Sequence, residues 1–159
     1  GSLSRSTWAD RGVYPNPYAT EYDSSDATST ISTIYGNKVG RTFVYAQEKG
    51  VDAAGSAMTA YIESADIDIG DGDNFLSISR FIPDFKNQVG EVDVTVKSRS
   101  YPSASQTTHG PYAISTTTEK QDTRIRGRQL ALRVSSDATS DNWRYGTLRF
   151  DGKPDGMRG

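Results

Sequence analysis

The stretch from Ala60 to Ile82, AYIESADIDIGDGDNFLSISRFI, constrains the fold more than any other part of the chain. Tyr61, Glu63, Ala65, Ile67 and Ile69 alternate with Ile62, Ser64, Asp66 and Asp68; further on, Leu76, Ile78, Arg80 and Ile82 alternate with Phe75, Ser77, Ser79 and Phe81. A period of two marks a half-buried strand, because successive side chains of an extended backbone point to opposite faces. Between the runs, Gly70-Asp71-Gly72-Asp73-Asn74 tolerates the positive φ angles of a tight turn. The stretch therefore predicts a β-hairpin.

The same signal recurs along the chain. Arg41 to Glu48 is β-branched and aromatic, Val92, Val94 and Val96 share one face of a strand, and Tyr112 to Thr118 reads as another. Thr123 to Val134 predicts one strand with Leu130, Leu132 and Val134 on one face and Gln129, Ala131 and Arg133 on the other. Trp143 to Phe150 predicts the last strand, followed by a turn-rich tail. Asn87 to Gly90 and Pro102 to Pro111 read as turn and loop. Before all of these, Tyr14-Pro15-Asn16-Pro17-Tyr18 excludes regular helix and Asp23 to Thr30 is a polar loop, although Trp8, Val13, Tyr14 and Tyr18 predict docking against a neighbour. The expected organisation is a turn-rich docking or linker segment over residues 1–40 and an antiparallel β-sandwich-like domain of about six strands over residues 41–159. A chain of 159 residues that is 34% hydrophobic can bury one modest core. No apolar run approaches the ~20 residues of a membrane-spanning helix. The absence of an initiator Met and of any leader-like segment predicts a piece of a longer protein.

Side-chain chemistry points away from catalysis. The chain has no cysteine, which excludes disulfides and thiolate metal sites and fits assembly in a reducing cytoplasm. Asp66, Asp68, Asp71 and Asp73 are out of register with a calcium loop, whose turn glycine would fall on Asp71, so they predict a polar turn. His109 is the only histidine, in a Thr-Thr-His-Gly-Pro context that predicts an exposed loop residue and not a zinc ligand. There is no Gly-x-Ser-x-Gly elbow and no phosphate-binding Walker loop. The expectation is a protein that is not an enzyme and holds no cofactor or metal.

Charge is distributed unevenly. Residues 1–90 hold seven Lys and Arg against twelve Asp and Glu, and the remainder eleven against eight, so a net of −5 is followed by a net of +3. Arg124, Arg126 and Arg128, spaced by two, would line up on one side of a strand as a guanidinium row able to meet phosphates or the acids of a neighbouring subunit; a solvated, charge-protected edge strand is the plainer alternative. Trp143 predicts a core or subunit-interface anchor opposite the Leu130, Leu132 and Val134 face, with Arg144 beside it.

Several segments, taken in order, resemble a family of tailed-phage virion proteins. They are Gly1 to Trp8 and Gly12 to Pro17, Ala60 to Ser64 with Asp68 to Gly72, Phe81-Ile82-Pro83-Asp84, Arg126-Gly127-Arg128-Gln129 continuing to Arg133, Trp143-Arg144-Tyr145-Gly146, and Pro154-Asp155-Gly156. These look like the C-terminal portions of long, β-propeller-bearing tail hub, nozzle or stabilisation proteins of short-tailed phages. The chain departs from the family pattern after the last motif, where Met157-Arg158-Gly159 stands in place of an Arg-Arg ending. The resemblance implies a non-enzymatic virion component assembled in the host cytoplasm. Identical subunits would form a ring beside other tail, adaptor and needle proteins, with non-specific contact to genomic DNA in the lumen. Arg124, Arg126, Arg128, Trp143 and Arg144 are the candidate interface or lumen residues. The alternative is a carbohydrate-binding or adhesion β-sandwich with aromatics lining a groove, which the content of nine tyrosines and two tryptophans keeps open.

Overall fold

The computed structural model of the chain describes residues 7–23, 30–33, 36–39, 41–53, 55–68 and 74–157, and among these every regular element is a strand. None of them forms a helix long and apolar enough to cross a membrane. The chain divides into two compact units, Gly1–Gly50 and Val51–Gly159.

The first unit contains β1 (Thr7–Ala9), β2 (Tyr18–Asp23), β3 (Thr30–Thr33), β4 (Gly36–Val39) and β5 (Arg41–Ala46). β2 lies between β1 and β5 in an antiparallel sheet, and β3 pairs with β4. The register of β2 and β5 runs from Tyr18 opposite Ala46 to Asp23 opposite Arg41, with Ala19 buried and the Gln47 amide donating to the Pro17 carbonyl at 2.8 Å. Arg41 to Ala46 therefore belongs to the first unit, and the boundary falls after Gly50 instead of residue 40. A six-residue strand needs a partner of matching length, and Tyr18–Asp23 supplies it. Most of the polar stretch between Asp23 and Thr30 lies outside the described residues.

The second unit is sandwich-like. Its strands are β6 (Ala60–Glu63), β7 (Ile67–Asp68), β8 (Asn74–Ile82), β9 (Phe85–Val89), β10 (Val92–Arg99), β11 (Thr107–Ile114), β12 (Gln121–Gly127), β13 (Gln129–Ser136), β14 (Asn142–Tyr145) and β15 (Arg149–Met157). One sheet has the order β11-β10-β13-β6, with β7 also on β13; a second has the order β12-β8-β15; β14 and β9 form a ribbon. The core joins Val92, Val94, Val96, Ile114, Leu130 and Val134 of the first sheet to Ile78, Phe81 and Ile125 of the second. Burying each such side chain contributes ~1.5–3 kcal/mol, which is what holds the two layers face to face. The Tyr112 and Thr123 hydroxyls share a hydrogen bond of 2.6 Å that ties β11 to β12 across the layers.

Two expectations about connectivity are overturned. Ala60 to Ile82 is not a hairpin: β6 and β7 pair with β13, whereas β8 is the middle strand of the other sheet. Gly70 to Asp73 lie outside the described residues. β8 buries Ile78 and Phe81 against β10, β11 and β13 of the opposite layer, whereas β6 and β7 add to the margin of that layer and stay exposed. Thr123 to Val134 is likewise not one strand. It breaks at Arg128, where the chain leaves β12 in one sheet and enters β13 in the other. Gly127 makes this corner, since a Cβ there would sit 2.9 Å from the Ser98 Cβ and 3.2 Å from the Arg99 carbonyl oxygen. The Arg128 amide donates to that carbonyl at 2.8 Å.

Short strands replace several predicted turns, which raises the strand count above six. Asn87 to Val89 falls within β9, the loop after Pro102 becomes strand at Thr107, and the tail runs as β15 against β8 as far as Met157. Trp143 to Phe150 is divided between β14 and β15. A β-bulge relocates the core face of β8. Against β15, Asp151 opposes Arg80 and Gly152 opposes Ile78, so Ser79 is an extra residue. The face that carries Leu76 and Ile78 then continues to Phe81, and Arg80 turns outward between Asp122 and Asp151, its Nε 3.2 and 3.9 Å from their carboxylates. Consequently Phe81→Ala should lower stability by ~3–5 kcal/mol and Ile82→Ala by less than half of that, measured by urea denaturation. Equal losses, or a larger one at Ile82, would contradict this assignment of faces.

Candidate functional site

The arginine corner is built by β8, β12 and β15. Outward positions of β12 alternate with buried Thr123, Ile125 and Gly127, which leaves Arg124 and Arg126 exposed on one face. Arg128 follows the end of the strand, so the predicted row of three becomes two outward arginines and one at the corner. Phe75 of β8 is 8% exposed because guanidinium groups cover it: Arg126 lies 4.1 Å and Arg128 5.8 Å from the ring centroid. Arg126 Nε also donates to Asp155 Oδ2 at 2.5 Å, and Nη2 to the Asp155 carbonyl at 3.0 Å. Arg128 Nε is buried and meets no hydrogen-bond acceptor. Among the described residues neither Arg124 nor Lys153 makes an ion pair, and both border a shallow groove floored by Ser77 and Ser79.

A second corner joins two other motifs. The Gly146 amide donates to the Asp84 carbonyl at 2.8 Å and the Thr147 amide to Asp84 Oδ2 at 3.3 Å. Trp143 is half-buried against the core, but its strand partner is β9 and not β13. β13 is already flanked by β10 and β6, so its backbone has no edge left to offer. The indole meets Phe85 edge-on at 6.2 Å, and its Nε1 donates to Ser136 Oγ at 2.9 Å. Arg144 is exposed and stands opposite Lys86 in the ribbon. The candidate residues therefore divide, with Arg124, Arg126 and Arg128 at one corner and Trp143 and Arg144 on the ribbon.

Sequence reasoning missed the charge network on the outer face of the larger sheet. Glu63 of β6 pairs with Lys97 and, at 2.8 Å, with Arg133, whose guanidinium lies 4.1 Å from the Tyr61 ring centroid. These two partners hold the Glu63 carboxyl below its ordinary value of 4.5. Asp66 Oδ1 accepts from Gln106 at 3.1 Å, and its Oδ2 lies 3.1 Å from Arg99 Nε in an ion pair whose N–H is not aimed for a hydrogen bond. Asp68 accepts from Gln129 at 2.8 Å. Asp71 and Asp73 lie outside the described residues. Only pairing of β6 and β7 with β13, which no local pattern specified, brings these groups together.

His109 is not a loop residue. It sits on β11, half-buried, sharing a hydrogen bond of 2.9 Å with the buried Ser98 hydroxyl. The Gly-Pro that suggested a loop is instead a bulge in an edge strand: Val94 opposes Tyr112 and Val96 opposes His109. Gly110 takes φ +100° there, and a Cβ would sit 2.9 Å from the Val94 carbonyl oxygen.

Among the described residues one edge of the sandwich stays open. Ile62 opposes Val134 and Ile67 opposes Leu130, so both isoleucines stand on the core side of the larger sheet, yet they are 51% and 57% exposed. Compared with known protein families and with curated proteins, the sequence matches none.

Burial pushes the His109 imidazole below its ordinary value of 6.5. The unfolded chain then binds the proton more readily, so this stabilisation is complete above that value and is lost as pH falls through the lowered one. The urea midpoint should drop as pH falls below 6.5 in the parent, with the drop flattened in His109→Gln. The Glu63 contribution should disappear only further down, below its ordinary value of 4.5. For Trp143, substitution by Phe removes one hydrogen bond and should cost about 1 kcal/mol. Trp143→Ala should cost about 3 kcal/mol, the low end for a large aromatic, because the ring is only half-buried. Both losses can be read from thermal or chemical unfolding.

Proposed function

We propose that this chain is a structural, non-catalytic subunit of a short-tailed phage virion tail, of the nozzle or hub kind, in which identical copies form a ring for DNA delivery. It is assembled in the host cytoplasm and contacts other tail, adaptor and needle proteins. The open β6 and β7 edge carries this reading. Natural sheets blunt their edges with charge, Pro or bulges. β11 has Gly110-Pro111, β12 has outward Arg124 and Arg126, and β15 has Pro154 and two register shifts. β6 and β7 lack Pro and are blunted only by their shortness, four and two residues, and Glu63 is engaged by Lys97 and Arg133 on the outer face. A neighbouring copy seated on this edge would cover Ile62 and Ile67, each worth ~1.5–3 kcal/mol when fully buried. A head-to-tail contact of this type generates a ring when its rotation closes. Further support comes from the motifs behind the family resemblance: Arg126 meets Asp155 at one corner and Asp84 meets Gly146 at the other, an arrangement that serves shape.

A second reading, a carbohydrate-binding or adhesion module, is favoured by one feature of the first unit. Tyr14 and Tyr18 meet edge-on at 5.4 Å and line a shallow groove with Val44, while Trp8 nearby in sequence is 60% exposed. The two readings separate experimentally. Light scattering of the chain should give a closed oligomer, and Ile62→Lys with Ile67→Lys should give a monomer with an unchanged far-ultraviolet circular dichroism spectrum. A parent that stays monomeric at every concentration overturns the ring reading. Glycan binding lost in Tyr14→Ala would establish the second.

A further inference from the structure

We infer that the outer face of the β12-β8-β15 sheet is a sequence-independent binding surface for the phosphodiester backbone of duplex nucleic acid, with Arg124 and Lys153 as its primary cations. This rests in part on the proposed role beside DNA, but the geometry supports it separately. Ser77 on the middle strand opposes Arg126 on one side and Lys153 on the other, so a hydroxyl-bearing floor runs between two basic banks. Neighbouring strands are ~4.8 Å apart, so the basic banks on β12 and β15 stand about 10 Å apart across β8.

The charge balance of this face is positive after internal pairing. Asp122 and Asp151 flank Arg80, and Asp155 is taken by Arg126. Among the described residues Arg124, Arg128 and Lys153 are left without a counter-ion, and Arg128 Nε is also buried without an acceptor. The hydroxyl of Ser77 adds a donor of the kind that commonly contacts phosphate oxygens, while that of Ser79 already donates to the Asp151 carbonyl at 3.3 Å.

The same face argues for duplex over single-stranded ligand. Unpaired bases bind by stacking on accessible aromatic rings. The aromatic residue of this face, Phe75, lies under Arg126 and Arg128 and offers no free ring surface. A sugar-binding platform is disfavoured for the same reason. What remains accessible is charge and hydroxyl, which reads a backbone and not a base sequence.

The test uses the full chain and a labelled duplex of mixed sequence, titrated at several salt concentrations starting from low ionic strength. Each cation that neutralises a phosphate contributes about 0.9 to the slope of log K against log salt. Arg124→Ala with Lys153→Ala should therefore reduce the magnitude of the slope by about 1.8, with no change in melting temperature, because both side chains are exposed. The matched double variant Lys86→Ala with Arg144→Ala removes the same charge from the β9–β14 ribbon and should leave the slope unchanged. Equal losses in the two variants would mean diffuse attraction and would overturn the site. So would tighter binding of single strands than of duplex, binding of heparin without binding of duplex, or no duplex binding at low salt. A chain that forms a closed oligomer but ignores duplex overturns this inference alone, and a monomer that binds duplex through Arg124 and Lys153 overturns the ring reading alone.

Discussion

Phe81 has no exposed surface, and its ring meets Tyr112 edge-on at 5.6 Å and Phe150 at 6.3 Å. One side chain from the middle strand of the smaller sheet thereby touches the edge of the opposite layer and the strand beside it. The Ser79 bulge makes this contact possible. With Ser79 as an ordinary strand residue and no bulge, strict alternation from Leu76 and Ile78 would carry Arg80 into the layer and Phe81 out of it, since a one-residue shift inverts every following position. An uncompensated buried guanidinium costs several kcal/mol, whereas the outward Arg80 lies between two carboxylates. The packing of both layers follows from that one displaced residue.

The sandwich corners show how charged residues acquire structural work. Gly127 allows the backbone to pass close to β10, and the flanking arginines, which cannot enter the core, fold over Phe75 instead. Arg126 is spent on Asp155, which fastens β15 to β12 across the outer face of β8. Exposed pairs of this kind contribute only ~0.2–1 kcal/mol each, so their effect is to fix geometry more than to supply stability. Among the described residues Arg124 and Lys153 border the groove without an ion pair, and the proposed anion binding rests on this imbalance.

The proposed assembly edge and the proposed anion-binding face draw on opposite features of the second unit. The open edge at Ile62 and Ile67 is apolar and belongs to the larger sheet, and the basic face belongs to the smaller one. The outer face of the larger sheet is internally neutralised by Glu63, Asp66 and Asp68 against Lys97, Arg133 and Arg99 with Gln129, so it offers little net attraction to either sign of charge.

By itself the sequence determined strand character and, within most strands, which residues share a face. Val92, Val94 and Val96 turn inward, and Leu130 and Val134 face the core opposite Arg133, because alternation is a local property of extended backbone. The Gly127 break, the Pro111 bulge and the tail strand were hidden, since each depends on what lies across the sheet and not on neighbouring residues. Tertiary structure alone decided that β6 and β8 separate into different layers, that β5 joins the first unit, and that the bulge at Ser79 exchanges Arg80 for Phe81 in the core. It also decided which cations remain free, because pairing of Arg126 with Asp155, and of Arg133 with Glu63, spans 29 and 70 residues of chain that no periodicity can connect. Local sterics fix a strand's two faces, but only the competition to bury apolar area and compensate charge fixes its neighbours.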